Sequence, residues 1–315
     1  MSDYPDHTQV RRIAVLGTGT IGASWAAWFL ARGYAVDAWD PAGGWEQRLA
    51  SFIETAWPHL EALGLADGAD RAAVTLHPTA AAAVAGADFV QESAPERLDV
   101  KRALYRDIDP ALPAGTILSS STSGLIMSEL QEGLDSAGRF VVGHPFNPPH
   151  LIPLVEVVAG RRTDPNAADW AIGFYRHVGK HPIRIRKEVP GHLANRLQAA
   201  LFREAVLAVQ YGLASVEDID AAVSRGPGLR WALMGPHMTM NLAGGAAGYR
   251  GMLGHFAPGM QAWWETMTEN PVLAGELAET IVAGVEEEAG ERSIEELEAE
   301  RDARLIGILG VLGRG

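Results

Sequence analysis

Residues 12–40, RIAVLGTGTIGASWAAWFLARGYAVDAWD, decide the fold of this chain. A short apolar run is followed by a glycine-rich turn, a helical stretch and a second apolar run. The pattern predicts a strand over 13–16, a turn over 17–22, a helix over 23–32 and a strand over 35–39. A strand, a turn and a helix in this order are typical of the first unit of a nucleotide-binding sheet.

The turn between this strand and helix has the spacing GxGxxG and predicts a dinucleotide site. Glycine lets the backbone approach a pyrophosphate, whose negative charge is stabilised at the helix N-terminus. The residues predicted to bind it are Gly17, Thr18, Gly19, Thr20, Ile21 and Gly22. Asp40 ends the second strand, where a carboxylate accepts hydrogen bonds from the ribose hydroxyls and repels a 2′-phosphate. The predicted cofactor is therefore NAD.

Strand and helix signals alternate as far as residue 188. Further strands are predicted over 73–76, 89–92, 116–120 and 140–142, with helical stretches between them, which predicts a doubly wound, mostly parallel Rossmann-type sheet in an α/β fold. From residue 189 helical periodicity prevails, and Ser215 and Ser293 each precede an acid at capping-box spacing. We predict an NAD-binding domain over 1–188 and an all-helical domain over 189–315, which binds substrate and forms the dimer contact.

Composition and charge exclude several classes of function. The 315 residues include 47 % hydrophobic and 21 % charged residues, an ordinary globular balance. A formal net charge of −13 argues against nucleic acid and anionic membrane surfaces as partners. No Cys occurs, which excludes disulfides and thiolate ligands, and we predict no metal among the site residues. With no apolar leader and no long apolar run, a cytoplasmic protein is expected.

The stretch VVGHPFNPPHLIPLVEVV, residues 141–158, carries the candidate chemistry. The first apolar run ends at His144, where a proline-rich turn begins, and the second apolar run contains Glu156. On paired strands these side chains can touch, and the carboxylate then fixes the imidazole tautomer and stabilises its protonated form. A histidine held by a carboxylate in this way can act as a general base.

Together these residues resemble the 3-hydroxyacyl-CoA dehydrogenase family over nearly the whole chain. The resemblance rests on ordered motifs: the glycine turn with Asp40, the 96–101 segment, a Ser-Thr-Ser turn ending at Ser123, HPFNP from His144 to Pro148, and PGHLANR over 190–196. It implies NAD-dependent oxidation of a 3-hydroxyl group by a homodimer.

The resemblance also implies roles for individual residues. His144 is expected to take the hydroxyl proton, Glu156 to orient it, and Ser123 and Asn195 to hold the reacting oxygen. The expected cofactor contacts beyond the turn and Asp40 are Glu96, Lys101, Ser121 and Asn147. One departure is His192, where the acyl-CoA enzymes usually have Phe; it either lines the substrate pocket or faces solvent at the start of a helix.

Other departures bear on the substrate. Residues 45–75 contain two Arg and five acidic residues, a charge that disfavours the phosphates of coenzyme A. Arg230 resembles a residue of the members that act on free 3-hydroxy acids; it anchors a carboxylate or makes a structural salt bridge. Trp231 and Phe256, among other aromatics, form a cage for a quaternary ammonium or belong to the core.

The predicted substrate is L-carnitine, because the segments around residues 191–200, 230–236 and 260–264 resemble most the members that oxidise it. L-gulonate, another free 3-hydroxy acid and a CoA thioester such as 3-hydroxybutyryl-CoA stay open as alternatives. A structural, crystallin-like protein without activity is the alternative of a different class. The intact set of Ser123, His144, Glu156 and Asn195 argues against it.

Overall fold

The centre of the N-terminal half is one eight-stranded β-sheet. The structure, a computed structural model, describes residues 4–313. Its strands are β1 (Arg12–Leu16), β2 (Ala35–Trp39), β3 (Val74–Leu76), β4 (Phe89–Glu92), β5 (Ile117–Ser120), β6 (Phe140–Pro145), β7 (Leu154–Ala159) and β8 (His181–Ile185). They lie in the order β3-β2-β1-β4-β5-β6-β7-β8, and all neighbouring pairs are parallel except β6 and β7. The predicted mostly parallel sheet is confirmed, with β8 as an additional strand that the sequence did not indicate.

Helices connect the strands and make up the regular structure after residue 193. Their bounds are α1 (Thr20–Ala31), α2 (Trp45–Leu63), α3 (Ala80–Val84), α4 (Leu98–Ile108), α5 (Met127–Leu130), α6 (Pro165–His177), α7 (Ala194–Gln210), α8 (Val216–Ser224), α9 (Pro227–Leu233), α10 (Pro236–Ala243), α11 (Gly248–His255), α12 (Ala257–Thr266), α13 (Gly275–Ala289) and α14 (Ile294–Val311). Within residues 4–313, none of these helices is both long enough and apolar enough to cross a membrane.

Two hydrophobic clusters cover the two faces of the sheet. In β1, Ile13 and Val15 belong to the cluster that includes α1, α2 and α6, whereas Ala14 and Leu16 belong to the cluster that includes α3, α4 and α5. Successive strand residues point to opposite faces, so a run that is apolar at every position needs cover on both sides. The apolar character of β1 therefore explains why helices pack on both faces.

Contacts among the residues divide the chain into two compact units. The first holds the residues up to Asn195 and those from Arg301 onward, and the second holds Arg196–Glu300. The C-terminal part of α14 thus belongs to the unit that contains the sheet. The boundary predicted between residues 188 and 189 stays a prediction.

Side-chain caps begin α8 and α14 as the sequence predicts. The Ser215 hydroxyl accepts a hydrogen bond from the Asp218 backbone N–H at 3.1 Å. At Ser293 both bonds of the capping box are present, because its N–H donates to the Glu296 carboxylate and its hydroxyl accepts from the Glu296 N–H. Each cap satisfies backbone donors that a helix start leaves without partners.

A buried carboxylate at the end of β4 ties three elements together. Glu92 is fully buried and accepts hydrogen bonds from Lys101 Nζ at 2.6 Å, Tyr105 Oη at 2.5 Å, Ser120 Oγ at 2.6 Å and the Ala94 N–H at 2.6 Å. Burying a charge is costly unless it is paired and hydrogen-bonded. This set of donors meets that requirement and joins α4 to β5 through the end of β4.

We expect Glu92→Gln to lower the free energy of unfolding by about 3–5 kcal/mol, because it leaves the buried Lys101 ammonium without its charged partner. Urea unfolding followed by circular dichroism measures this change.

The matched control is Glu132→Gln. Glu132 pairs with Arg102, the next residue along α4, but its side chain is 72 % exposed. An exposed pair contributes about 0–1 kcal/mol, so the control should unfold nearly like the wild type. Equal losses in the two variants would contradict the assignment of Glu92 as the anchor.

Candidate active site

A cavity of about 610 Å³ opens at the carboxyl ends of β1, β2 and β4. Its lining residues are Gly17, Gly19, Trp39, Asp40, Pro41, Ala42, Ser93, Ala94, Pro95, Val100, Ala103, Leu104 and Asp107. A doubly wound sheet binds its ligand outside the carboxyl ends of its strands. The cavity is therefore where the glycine turn and Asp40 predict a dinucleotide, and α4 contributes an apolar wall that the sequence did not indicate.

Two glycines of the turn are required because a side chain would clash with the neighbouring backbone, and a third leaves space through which a ligand can reach the backbone. Gly17 has φ +84°, and a Cβ there would lie 2.6 Å from the Ser93 carbonyl oxygen. A Cβ on Gly22 would lie 1.7 Å from the Gly17 oxygen. Gly19, in contrast, has open space where its Cβ would be, directly before α1. A phosphate can therefore approach the backbone at the positive end of this helix.

Asp40 holds the same turn from the neighbouring strand. Its carboxylate accepts hydrogen bonds from the Thr18 N–H at 2.7 Å and from the Ala42 N–H at 2.9 Å. A carboxylate lining the cavity favours ribose hydroxyls over a 2′-phosphate. The open approach to Gly19 and the acid at Asp40 fit NAD.

Glu96 organises the serine turn that follows β5. One oxygen of its carboxylate accepts hydrogen bonds from the Thr122 hydroxyl at 2.7 Å and from the N–H groups of Ser123 and Gly124 at 2.9 Å. Ser121 lies beside this turn, and its hydroxyl contacts Gln91 and Ser93. Glu96 thus holds the loop that carries two of the predicted site residues.

The second predicted cluster joins β6 and β7. His144 and Glu156 are directly opposite in the antiparallel register, and His144 Nδ1 lies 2.8 Å from Glu156 Oε2. Both side chains are buried. With Nδ1 donating to the carboxylate, His144 Nε2 carries the lone pair. The sequence predicts this pairing, and the structure shows the contact.

Glu156 has two further partners that the sequence did not reveal. Its Oε1 accepts the N–H groups of Leu193 and Ala194, at 3.0 and 2.9 Å, where α7 begins. Burial alone would raise the pKa of this carboxyl, but the hydrogen bonds from His144 and from the two backbone groups lower the pKa below its ordinary value. Glu156 is therefore ionised at neutral pH.

His192 lies beside His144 and does not face solvent. It is buried, has φ +50°, and its ring centroid is 5.3 Å from that of His144. His192 Nε2 lies 3.0 Å from the Thr122 carbonyl, which can only accept, so Nε2 carries the hydrogen. Burial lowers the pKa of this imidazole. Its Nδ1 is buried without a hydrogen-bond partner in the described part of the chain.

The remaining predicted residues of this unit take different positions. Asn195 donates from Nδ2 to the Ser123 carbonyl at 3.1 Å, which brings two predicted catalytic residues together. Asn147 is exposed next to Pro148. Lys101 is 1 % exposed and donates to Glu92 and to the Ala94 carbonyl, so its ammonium is already bonded within the protein.

The predicted substrate residues lie in the second unit. Arg230 and Trp231 are on the short helix α9, and Phe256 lies between α11 and α12. The side chains of Trp231 and Phe256 are 41 % and 46 % exposed, so these rings are not core residues of a single chain.

The sheet order, the glycine turn and the cavity are those of a protein with a dinucleotide-binding fold. The NAD binding domain of 3-hydroxyacyl-CoA dehydrogenase matches residues 12–189, and the C-terminal domain of the same family matches residues 191–286. The chain belongs to the 3-hydroxyacyl-CoA dehydrogenase family. It is an NAD-dependent dehydrogenase that acts on a CH–OH group.

Relatives of this chain are similar to it over nearly their whole length. The chain is 55 % identical to an L-carnitine dehydrogenase of Streptomyces griseus over 97 % of this chain and 91 % of that protein. It is 46 % identical to an L-carnitine dehydrogenase of a Pseudomonas species over 98 % and 96 % of the two chains.

Solved structures share the fold. A 5-formyl-3-hydroxy-2-methylpyridine 4-carboxylic acid 5-dehydrogenase, described as an NAD⁺-dependent dismutase, superposes with a TM-score of 0.83 at 32 % identity, covering 97 % of this chain and 99 % of that one. A 3-hydroxybutyryl-CoA dehydrogenase from Escherichia coli has a TM-score of 0.68 at 26 % identity, covering 90 % and 61 %.

We expect Asp40→Ser to lower the preference for NAD⁺ over NADP⁺ by about tenfold or more, equivalent to about 1.4 kcal/mol, because the substitution removes the charge that repels a 2′-phosphate. The ratio of kcat/KM for the two cofactors measures the change. Asp67→Ser removes the same charge from an exposed position and should leave the ratio unaltered. An unchanged ratio in Asp40→Ser would contradict the role of Asp40.

Proposed function

We propose that this enzyme oxidises the 3-hydroxyl of L-carnitine to give 3-dehydrocarnitine, with His144 as the general base. The buried hydrogen bond between His144 and Glu156 carries the assignment of the base. Eight relatives at 44–55 % identity, each named L-carnitine dehydrogenase, support the choice of substrate.

In this proposal His144 Nε2 takes the hydroxyl proton as the C–H bond breaks. Glu156 holds the ring through Nδ1 and stabilises the imidazolium that forms, while the two N–H groups at the start of α7 keep the carboxylate ionised. NAD⁺ supplies the hydride acceptor for the carbinol carbon. Ser123 and Asn195, which are in contact, hold the reacting oxygen near this base.

Two features support a free acid over a CoA thioester. The surface around α2 is acidic, and one of its two arginines, Arg71, pairs with Glu54 at 3.1 Å. This leaves little positive charge for the phosphates of coenzyme A. Arg230 is the proposed anchor for the substrate carboxylate, since a guanidinium binds a carboxylate through two parallel hydrogen bonds.

We further propose that Trp231 and Phe256 contact the trimethylammonium group. A cation over an aromatic face gains about 0.5–2 kcal/mol, and a quaternary ammonium is cheaper to desolvate than a primary one. Their exposure in a single chain leaves both rings available for such a contact.

A cytoplasmic homodimer is the proposed form of the enzyme. The second unit exposes large apolar side chains, among them Leu197, Phe202, Leu242, Trp263 and Trp264. Apolar exposure on this scale is typical of a surface that a partner covers.

The substrate assignment predicts a ranking in a side-by-side assay. With NAD⁺ reduction followed by absorbance, L-carnitine should give the highest kcat/KM, ahead of L-gulonate, 3-hydroxybutyrate and 3-hydroxybutyryl-CoA. Arg230→Met should raise the KM for L-carnitine about 10–100-fold, because it removes a charged hydrogen-bond partner worth about 1.5–3 kcal/mol.

Arg225→Met is the matched control for this variant, since Arg225 is an exposed arginine at the end of α8. It should leave the KM unaltered. Turnover of the CoA thioester alone would overturn the substrate assignment, whereas an equal KM in Arg230→Met and wild type would overturn only the anchor.

The pair of His144 and Glu156, which we call the dyad, predicts that Glu156→Gln changes both the turnover rate and the stability of the protein. We expect the kcat of Glu156→Gln to fall about 10²–10⁴-fold, which is the usual contribution of a positioned general base. The kcat of His144→Ala should fall at least as far. His181→Ala, which removes an exposed histidine, serves as the control. Wild-type turnover in either dyad variant would exclude the mechanism.

The pH dependence of stability follows from the lowered pKa of Glu156. A carboxyl whose pKa is lower in the folded state stabilises the protein above its unfolded pKa of about 4.3, and the contribution is lost as the pH falls through the folded value. The difference in unfolding free energy between wild type and Glu156→Gln should therefore be full at pH 7 and shrink below pH 4. Urea unfolding at both pH values measures it, and a difference that grows towards acid pH would contradict the ionised state.

A further inference from the structure

Three side chains far apart in the sequence meet on the sheet-containing unit, separate from the dyad. His59 is on α2, His150 lies in the loop between β6 and β7, and Asp302 is on α14. One ligand atom from each lies within 4.8 Å of the other two, and His59 Nδ1 is 4.0 Å from Asp302 Oδ2. His150 and Asp302 are buried, and His59 is partly buried.

Two ring nitrogens in this cluster are buried and unsatisfied. His59 Nδ1 and His150 Nε2 each have no hydrogen-bond partner among residues 4–313. A buried polar atom without a partner costs about 1–3 kcal/mol, so native proteins rarely keep one without a ligand or a water. Two such atoms beside a buried carboxylate need a common explanation.

The surroundings of His150 suit a metal ligand. Its Nδ1 lies 2.8 Å from the hydroxyl oxygen of Ser24, which also accepts the backbone N–H of His150 at 2.8 Å. In the tautomer that donates from Nδ1 to this oxygen, Nε2 carries the lone pair and can bind a metal. Metal-bound histidines usually donate their second ring N–H in this way.

The charges of the cluster also allow a cation. Asp302 supplies a carboxylate whose Oδ1 accepts from Arg301 Nε at 2.8 Å, and Oδ2 faces His59. The negative charge of this carboxylate offsets part of the charge of a divalent cation.

We propose that His59, His150 and Asp302 bind a divalent transition-metal ion of the zinc class. Two imidazole nitrogens and one carboxylate oxygen are ligands for Zn²⁺ or Co²⁺, whereas Mg²⁺ and Ca²⁺ take oxygen ligands. Tetrahedral bonds of about 2.0–2.2 Å put ligand atoms about 3.3–3.6 Å apart, so the three side chains, whose ligand atoms now lie within 4.8 Å, draw together on binding. The ion links α14 to α2 and has a structural role.

Isothermal titration calorimetry of tag-free, chelator-treated protein with ZnCl₂ tests the proposal. We expect one ion per chain, no saturable heat with MgCl₂, and Co²⁺ absorption bands typical of tetrahedral coordination. His59→Phe keeps the ring that stacks on His150, and Asp302→Asn keeps the side-chain shape. Each should weaken Zn²⁺ binding at least tenfold and remove the rise in Tm that Zn²⁺ gives the wild type.

His181→Ala removes an exposed histidine and should bind Zn²⁺ like the wild type. Absence of saturable binding to the wild type would overturn the site and leave a bridging water as the explanation of the two nitrogens. Unchanged binding in both His59→Phe and Asp302→Asn would overturn it as well, because the ion would then bind elsewhere, such as at His144 and His192. Neither outcome depends on the identity of the substrate.

Discussion

The buried carboxylate of Glu156 is the interaction on which the site depends. It lies in the middle of β7, where an unpaired charge would be prohibitively costly, and three donors from two parts of the chain satisfy it. These hydrogen bonds hold the His144 ring in one tautomer and position the backbone where α7 begins. One buried charge thus positions both an imidazole ring and the start of a helix.

Three other carboxylates along the carboxyl ends of the strands also accept several hydrogen bonds each. Asp40 accepts from the turn after β1, Glu92 from α4 and β5, and Glu96 from the turn after β5. In each case a carboxylate receives hydrogen bonds from a neighbouring loop or element. Charge-assisted hydrogen bonds are stronger than neutral ones, so these acids hold loops in fixed positions without adding bulk.

The predicted site residues are divided between the two units of the chain. The cofactor cavity and the pair of His144 and Glu156 belong to the sheet-containing unit. Arg230 and the aromatic side chains that we propose as substrate contacts belong to the helical unit. In this proposal one unit carries the reaction and the other selects the substrate, an arrangement that lets one fold support several related dehydrogenases.

The sequence by itself determined the sheet, the glycine turn, Asp40 and the pairing of His144 with Glu156, because each depends on local pattern and on neighbouring strands. It placed Lys101 at the cofactor, but the chain buries that ammonium against Glu92, and it left His192 undecided between pocket and solvent. It also missed β8, the N–H groups that bind Glu156, and the meeting of His59 with His150 and Asp302. These contacts join residues from distant elements, and only tertiary packing decides which donors and acceptors meet in a buried space. A charge or lone pair that is buried needs a hydrogen-bond partner within the protein. That partner often comes from a distant part of the chain, so a local sequence pattern does not predict it.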